Sequence, residues 1–127
     1  MISTRILLVE DDAFLRQIYV DSLTQAGFQV QVAIDGSEGF DKIKEGSWDL
    51  LLLDIILPNM DGIEIMRKLK ADPDYSPQVN KPVIFLTNLD NDNEMKQALE
   101  LGQGYIIKSQ INPGDLITKI NEILKID

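Results

Sequence analysis

The residues of this chain that could do chemistry are acids placed at the ends of two apolar segments. Glu10, Asp11 and Asp12 directly follow one apolar run, and Asp54 directly follows another. Uninterrupted apolar runs are typical of parallel strands that are buried on both faces. Because open α/β sheets bind ligands at the carboxyl ends of such strands, we expect Asp11, Asp12 and Asp54 to meet at one edge of a sheet if the two strands are neighbours.

Three aspartates in one place predict a metal site. Carboxylates that share a pocket repel one another unless protons or a cation relieve the charge. A hard divalent ion with oxygen ligands does this, and Mg²⁺ in particular binds through carboxylates while keeping several waters. Asp11, Asp12 and Asp54 are therefore predicted to form a Mg²⁺ site.

Two further apolar segments end in polar side chains that suit phosphoryl transfer. Thr87 ends one of them, and Lys108 ends the segment that begins at Tyr105. If all four segments are strands of one sheet, their tips offer carboxylates, a hydroxyl and an ammonium around one point. A carboxylate can attack phosphorus to form an acyl phosphate, and the transfer then needs mainly positioning and charge neutralisation. In this interpretation Asp11 and Asp12 hold the metal, while Thr87 and Lys108 bind the phosphoryl oxygens.

Strand-like and helix-like patterns alternate five times along the chain. Apolar residues recur at helical spacing between the apolar segments. Gly27 is placed to end the first helix, Ser37 is predicted to cap the second, and Pro113 opens the last. The strands are predicted at residues 5–9, 28–32, 49–55, 82–87 and 105–108, and the fourth helix at 91–101. This alternation predicts a single α/β domain of (βα)₅ type, a doubly wound parallel five-stranded sheet with helices on both faces.

Length, charge and composition exclude several classes of function. The chain has 127 residues, which suits one domain over 1–127. Its net charge of −9 argues against direct binding of nucleic acid or an anionic membrane, and its apolar runs are far shorter than a membrane span. It has no cysteine and no apolar signal-peptide segment, which fits a cytoplasmic protein. It also has no histidine, so no step within this chain uses an imidazole.

Taken together, these elements resemble the receiver domain of two-component response regulators. The likeness covers essentially the whole chain and implies the flavodoxin-like strand order 2-1-3-4-5. It rests on five separated motifs in order: Glu10-Asp11-Asp12, Asp54, the turn Leu57-Pro58-Asn59-Met60-Asp61-Gly62, Thr87, and Tyr105 with Lys108.

The resemblance implies specific roles for the acids. Asp54 would be the phosphoacceptor. Asp12, Asp54 and the main-chain carbonyl of Ile56 would ligate Mg²⁺ directly, and Asp11 would act mainly through metal-bound water.

The resemblance also implies a switch and its partners. Thr87 and Lys108 would complete the catalytic set with Asp54, and Thr87 would be coupled to Tyr105 as a switch residue. The phosphoryl group would come from a phosphohistidine on a histidine kinase or histidine phosphotransfer protein. It would change the face formed by the fourth helix, the fifth strand and the last helix.

The expected output is a contact with a downstream protein target or effector domain, and a phosphorylation-dependent homodimer is left open. Such a protein is a signalling switch rather than an enzyme, because it catalyses only its own phosphorylation and dephosphorylation.

The chain departs from the family pattern beside the site. Ser109 stands where a proline usually follows the lysine, often after a cis bond, and Asn88 stands where a small residue usually follows the threonine. A trans Lys108–Ser109 peptide is predicted, since a cis bond before a non-proline residue costs about 3–4 kcal/mol. Ile56 and Leu89, two positions after the phosphoacceptor and the threonine, are predicted to tune the rate of dephosphorylation.

Other interpretations remain open for single residues and for the whole chain. Asp11 or Asp12 alone could cap the first helix, and Thr87, Lys108 or Tyr105 alone could be ordinary strand-end residues. A haloacid-dehalogenase-like phosphatase would need an aspartate where Ile56 stands. A flavodoxin-type electron carrier would need a phosphate loop where the first acids stand. An inert scaffold with a degenerate site would lack a key acid, and none is missing here.

Overall fold

The computed structural model describes residues 4–72, 81–88, 92–102 and 104–126. Its centre is a parallel sheet of five strands in the order β2-β1-β3-β4-β5, which confirms the predicted α/β fold and strand order. The strands are β1 Arg5–Val9, β2 Gln29–Ala33, β3 Leu50–Asp54, β4 Val83–Thr87 and β5 Gly104–Ile107. The helices are α1 Ala13–Gln25, α2 Gly36–Glu45, α3 Gly62–Ala71, α4 Asp92–Leu101 and α5 Pro113–Leu124, and a short 3₁₀ helix spans Lys108–Gln110.

The two faces of the sheet are covered by different helices. Side chains alternate between the faces along each strand, so Leu7 and Leu51 pack with residues of α2, α3 and α4. Ile6 and Leu50, one position earlier, pack instead with Tyr19 of α1 and with residues of α5. The register aligns Ile6 with Leu50, so the side chains of β1 and β3 that face α1 and α5 lie side by side. This alternation decides which strand-end side chains point in the same direction.

The N-terminus of α2 differs from the prediction. Ser37 was expected to cap this helix, but the cap is Asp35, whose carboxylate Oδ1 accepts a hydrogen bond from the Glu38 amide at 2.8 Å. Asp35 has an extended backbone, with φ −150° and ψ 175°, as an N-cap residue requires. Ser37 therefore lies inside the first turn, and the prediction of a Ser37 cap was wrong.

Strand β5 ends one residue earlier than predicted. It runs to Ile107, and Lys108 opens the 3₁₀ helix instead of closing the strand. The described residues contain no cis peptide bond, so the predicted trans Lys108–Ser109 bond is confirmed. Among the same residues, no helix is both long and apolar enough to cross a bilayer.

Gly62 lets the start of α3 pack directly against the end of β3. Its amide donates to the Ile55 carbonyl at 2.7 Å, and a Cβ on Gly62 would lie only 2.3 Å from the Asp54 main-chain oxygen. Because real Cβ atoms do not approach oxygen so closely, any side chain here must displace α3 or the strand end that carries Asp54.

We expect Gly62→Ala to destabilise the fold by about 2–3 kcal/mol, the upper range for overpacking a well-packed core. Urea unfolding followed by circular dichroism measures this. Gly114→Ala is the matched control, because Gly114 is exposed and an added Cβ would meet only the Asn112 side chain at 3.3 Å. Equal stability losses in the two variants would contradict the steric argument.

Candidate phosphoacceptor and metal site

Asp54 and Lys108 form the centre of the site at the carboxyl edge of the sheet. Lys108 Nζ donates to Asp54 Oδ2 at 2.8 Å and to Glu10 Oε1 at 2.8 Å. All three side chains are at least 95% buried. Glu10 and Asp54 each stand two positions after Leu8 and Leu52, residues of the core layer beneath α1 and α5, so strand alternation turns both carboxylates to that face.

Glu10 is a site residue that the sequence analysis did not assign. It is completely buried, its amide donates to the Ala33 carbonyl at 3.1 Å, and its carboxylate shares the lysine with Asp54. The prediction concentrated on the aspartates that follow it. The sequence did contain a signal for Glu10. It stands two and four positions after Leu8 and Ile6, and side chains at this spacing along a strand point to the same face of the sheet.

A divalent cation fits the acids that the fold brings together. One carboxylate oxygen from each of Glu10, Asp11 and Asp54 lies within 4.8 Å of the others. A single Lys108 ammonium cannot balance three carboxylates, and Glu10 Oε2 is buried without a hydrogen-bond partner. Oxygen donors with uncompensated negative charge suit a hard ion such as Mg²⁺.

Asp12 lies beside this group and also has a structural task. Its Oδ1 accepts a hydrogen bond from the Leu15 amide at 3.0 Å and caps α1. Its direct ligation of a metal stays a prediction, because one of its oxygens is already engaged by the helix. The residue nevertheless lines the same pocket as Asp11 and Asp54.

The acids open onto a small pocket with a volume of about 200 Å³. Ile56 and Asn88 line it together with Lys108. The Ile56 side chain is 54% exposed, so it lies at the entrance rather than in the core. The direction of its carbonyl toward a metal stays a prediction, and Leu89, the other predicted rate-tuning residue, lies outside the described residues.

The predicted switch residues lie on two adjacent strands, the internal strand β4 and the edge strand β5. Thr87 ends β4, is 1% exposed and pairs in register with Ile107. Tyr105 pairs with Phe85 on the edge strand β5 and is half-buried. The roles of Thr87, Lys108 and Tyr105 in catalysis and switching stay predictions, but the fold places all three next to the acids or on the neighbouring edge.

The buried charges shift two protonation equilibria. Burial, followed by the neighbouring Asp54 side chain, raises the pKa of Glu10 to about 7, against the opposing effect of Lys108. Burial alone lowers the pKa of Lys108, but its hydrogen bonds to Asp54 and Glu10 outweigh this, so the pKa of Lys108 lies above its ordinary value. The lysine therefore stays charged at neutral pH, and Glu10 is the group that can take up a proton.

We expect the metal-free protein to lose stability relative to Glu10→Gln as the pH rises from 5 to 8. A pKa of about 7 in the folded state against about 4.5 when unfolded means that the fold binds an extra proton. That stabilisation is complete below pH 4.5 and disappears as the pH passes 7. The change is about 1–3 kcal/mol.

Denaturation in EDTA at several pH values measures this difference. Glu64→Gln, at an exposed position of α3, is the control and should track the wild type. A difference between wild type and Glu10→Gln that stays constant across this pH range would refute the assignment.

Comparisons with known proteins agree with this geometry. The response regulator receiver domain family matches residues 6–121 of the chain. The response regulator MprA of Mycobacterium tuberculosis is 31% identical over 123 residues, which is 97% of this chain and 51% of MprA. The chain spans about half the length, or less, of the curated relatives that it matches.

Solved structures show the same architecture. A CheY-like receiver domain protein from Methanospirillum hungatei JF-1 superposes with a TM-score of 0.86 at 31% identity, covering 98% of this chain and 95% of that chain. The BeF3-activated N-terminal receiver domain of Klebsiella pneumoniae RstA has a TM-score of 0.83 at 30% identity, covering 95% and 98%. The chain therefore belongs to the response regulator receiver domain family.

Proposed function

We propose that the protein is a phosphoacceptor switch of a two-component system, in which Asp54 takes a phosphoryl group from a phosphohistidine. The observation that carries this is the 2.8 Å contact between Lys108 Nζ and Asp54 Oδ2 at the base of an acidic pocket. A buried carboxylate that is held by an ammonium and opens to solvent is positioned to act as a nucleophile. The chain has no histidine, so the donor is a histidine kinase or a histidine phosphotransfer protein.

The chemical step uses the Asp54 oxygen that Lys108 does not hold. An electron pair of this oxygen attacks phosphorus, and the bond between phosphorus and the donor imidazole nitrogen breaks. The imidazole leaves with the two electrons of the broken phosphorus–nitrogen bond, and Asp54 becomes an acyl phosphate. Lys108 and the Thr87 hydroxyl are proposed to bind the phosphoryl oxygens, since transfer of this kind depends on positioning and charge neutralisation.

The acidic group is proposed to hold Mg²⁺, which when bound would neutralise negative charge on the phosphoryl oxygens. Asp12, Asp54 and the main-chain carbonyl of Ile56 are the proposed direct ligands. The cap of α1 engages only Oδ1 of Asp12, so Oδ2 is the oxygen proposed to bind the ion. Asp11 is proposed to act mainly through metal-bound water. Glu10 is added to the site in the same indirect role, since Lys108 holds its other oxygen.

The output surface is proposed to be the face formed by α4, β5 and α5. Thr87 and Tyr105 border this face, and a groove of about 550 Å³ runs between β5 and α5 beside Tyr105. Attraction of the Thr87 hydroxyl to the phosphoryl group would let the Tyr105 ring turn inward and bias two existing states. A downstream protein or an attached effector domain would read this face.

We propose that the protein catalyses only its own phosphorylation and dephosphorylation, and that the domain itself contacts neither nucleic acid nor membrane. A single receiver domain over 1–127, a phosphorylation-dependent homodimer and a cytoplasmic location stay predictions.

Acetyl phosphate and Mg²⁺ provide a direct test with the purified chain. Intact mass spectrometry should show the gain of one phosphoryl group, and the gain should be absent in EDTA. Peptide mapping after chemical reduction of the acyl phosphate should place the group on Asp54. No gain in mass, or a stable phosphate on a serine or threonine, would overturn the proposal.

Ile56 is proposed to limit the access of water to the acyl phosphate. Its side chain lines the pocket and cannot orient a water by hydrogen bonding. We expect Ile56→Asn to accelerate loss of the phosphoryl group about tenfold, equivalent to about 1.4 kcal/mol of barrier, and Leu89→Gln to act in the same direction.

Loss of phosphate from phospho-Asp54 in excess Mg²⁺ measures these rates. Ile34→Asn is the matched control, because Ile34 is an exposed isoleucine that directly follows β2, which β1 separates from β3 in the sheet. Unchanged or slower loss in both Ile56→Asn and Leu89→Gln would remove the proposed role.

A further inference from the structure

Arg16 connects the second turn of α1 to the loop that carries the acids. Its Nη1 donates to the Glu10 carbonyl at 2.9 Å and lies 3.4 Å from the Asp11 carbonyl. Its own amide donates to the Asp12 carbonyl at 2.9 Å. One residue therefore contacts the main chain of all three consecutive acids, and its guanidinium spans the two whose side chains meet Asp54.

The main chain of Asp11 depends on this contact more than that of Glu10. Glu10 is anchored to β2 through its amide and the Ala33 carbonyl. Asp11 belongs to neither a strand nor a helix, and its side chain is exposed. Within the described residues, the Arg16 contact is the one hydrogen bond to the Asp11 main chain. Without this contact, no hydrogen bond among the described residues would hold the Asp11 peptide, whose orientation sets that of the carboxylate.

We propose that Arg16 is a positioning residue that sets the Glu10 and Asp11 carboxylates for the divalent ion, an inference that rests on the proposed Mg²⁺ site. Arg16 does not line the pocket, so it acts through the main chain rather than by touching the ion or the phosphoryl group. The charged donor restrains the Glu10 carbonyl strongly at 2.9 Å and the Asp11 carbonyl more weakly at 3.4 Å, because ionic hydrogen bonds exceed neutral ones in strength but weaken with distance.

The positive charge of Arg16 opposes binding of a cation, whereas the restraint on the loop favours it. A guanidinium near the site repels Mg²⁺, so removing the charge alone would tighten binding. A restraint on the loop predicts weaker binding after substitution, whereas a purely electrostatic role predicts tighter binding. Lysine separates the two effects, because it keeps the charge but ends one bond shorter and lacks the planar fork.

The experiment compares the full-length wild type with Arg16→Lys, Arg16→Met and Arg67→Met. Arg67 is the control because its exposed guanidinium also links two elements, α3 and α4, by donating to Gln97 at 3.0 Å. This contact lies on the face of the sheet opposite to α1. Calorimetry gives the Mg²⁺ dissociation constant, and acetyl phosphate gives the phosphorylation rate at saturating Mg²⁺. Arg16→Lys should weaken Mg²⁺ binding about 5–10-fold, where tenfold equals about 1.4 kcal/mol.

The same variant should phosphorylate within about twofold of the wild-type rate at saturating Mg²⁺, because the loss lies in binding. Arg67→Met should match the wild type in both measurements. The inference is overturned if Arg16→Lys binds Mg²⁺ like the wild type, whether or not Arg16→Met binds more tightly. It is also overturned if Arg16→Lys and Arg67→Met weaken binding equally, since that would indicate a general effect on the fold.

A failure of the proposed function would be visible separately. If the wild type itself binds no Mg²⁺, that function fails, and amide hydrogen exchange at residues 11–13 then decides the role of Arg16. Faster exchange there in Arg16→Lys but not in Arg67→Met would support the restraint on the loop. Equal exchange in the two variants would overturn it.

Discussion

Replacement of Asp54 by asparagine is expected to abolish phosphorylation of the protein by acetyl phosphate. The amide oxygen is a far weaker nucleophile than a carboxylate oxygen. Among the described residues, Glu10 is the one other acid that is buried beside the pocket and bonded to Lys108, and its second oxygen is enclosed. We expect a fall of at least about 1000-fold in the rate, or about 4 kcal/mol of barrier. Intact mass over a time course in Mg²⁺ measures it.

Asp61→Asn is the matched control for this prediction. Asp61 follows the same strand, and its Oδ1 caps α3 by accepting from the Glu64 amide at 2.8 Å. Asparagine can keep that hydrogen bond, so the control should fold and phosphorylate normally. Continued phosphorylation of Asp54→Asn at the wild-type rate would show that another residue is the acceptor.

Replacement of Lys108 by methionine is expected to destabilise the metal-free fold strongly. The change leaves Glu10 and Asp54 buried against each other without their shared ammonium. Removing one partner of a buried ion pair costs about 3–5 kcal/mol. Protonation of Glu10 relieves part of this near neutral pH, so we expect a loss of about 2–4 kcal/mol at pH 7, larger at pH 8 than at pH 6.

Urea unfolding in EDTA measures this loss, and a double variant tests its cause. Lys108→Met combined with Glu10→Gln should recover much of the stability, since a neutral amide replaces the unpaired carboxylate. Added Mg²⁺ should also stabilise the single variant by replacing the missing positive charge. Lys96→Met, at an exposed position of α4, should have little effect. Equal destabilisation by both lysine substitutions would contradict the role of the buried group.

The sequence predicted the sheet well because its signals were strong and redundant. The apolar runs that became β1 and β3 are buried throughout apart from Arg5, and parallel strands are recognisable by such runs. Asp54, Thr87 and Lys108 were identified because each follows an apolar run. The structure brings Asp54 and Lys108 into direct contact.

The role of Glu10 and the cap of α2 were not predicted correctly, although the sequence contains the pattern that indicates each of them. Glu10 was passed over although strand alternation predicts that it faces the same side as Leu8. The cap of α2 was assigned to Ser37, although Asp35 and Glu38 have the D-x-x-E spacing of a capping pair. Arg16 could not be found in this way, because its contact with two main-chain carbonyls depends on how α1 returns over β1.

The pairing of Lys108 with Glu10 has a consequence for the order in which the chain folds. The two residues are 98 positions apart, and Lys108 and Asp54 are 54 apart. During synthesis the acids emerge first and repel each other until β5 docks and brings the ammonium. The buried acids at the ends of β1 and β3 therefore gain their balancing charge only after residue 108 has left the ribosome and β5 has docked, which makes the pairing of this last strand a late step.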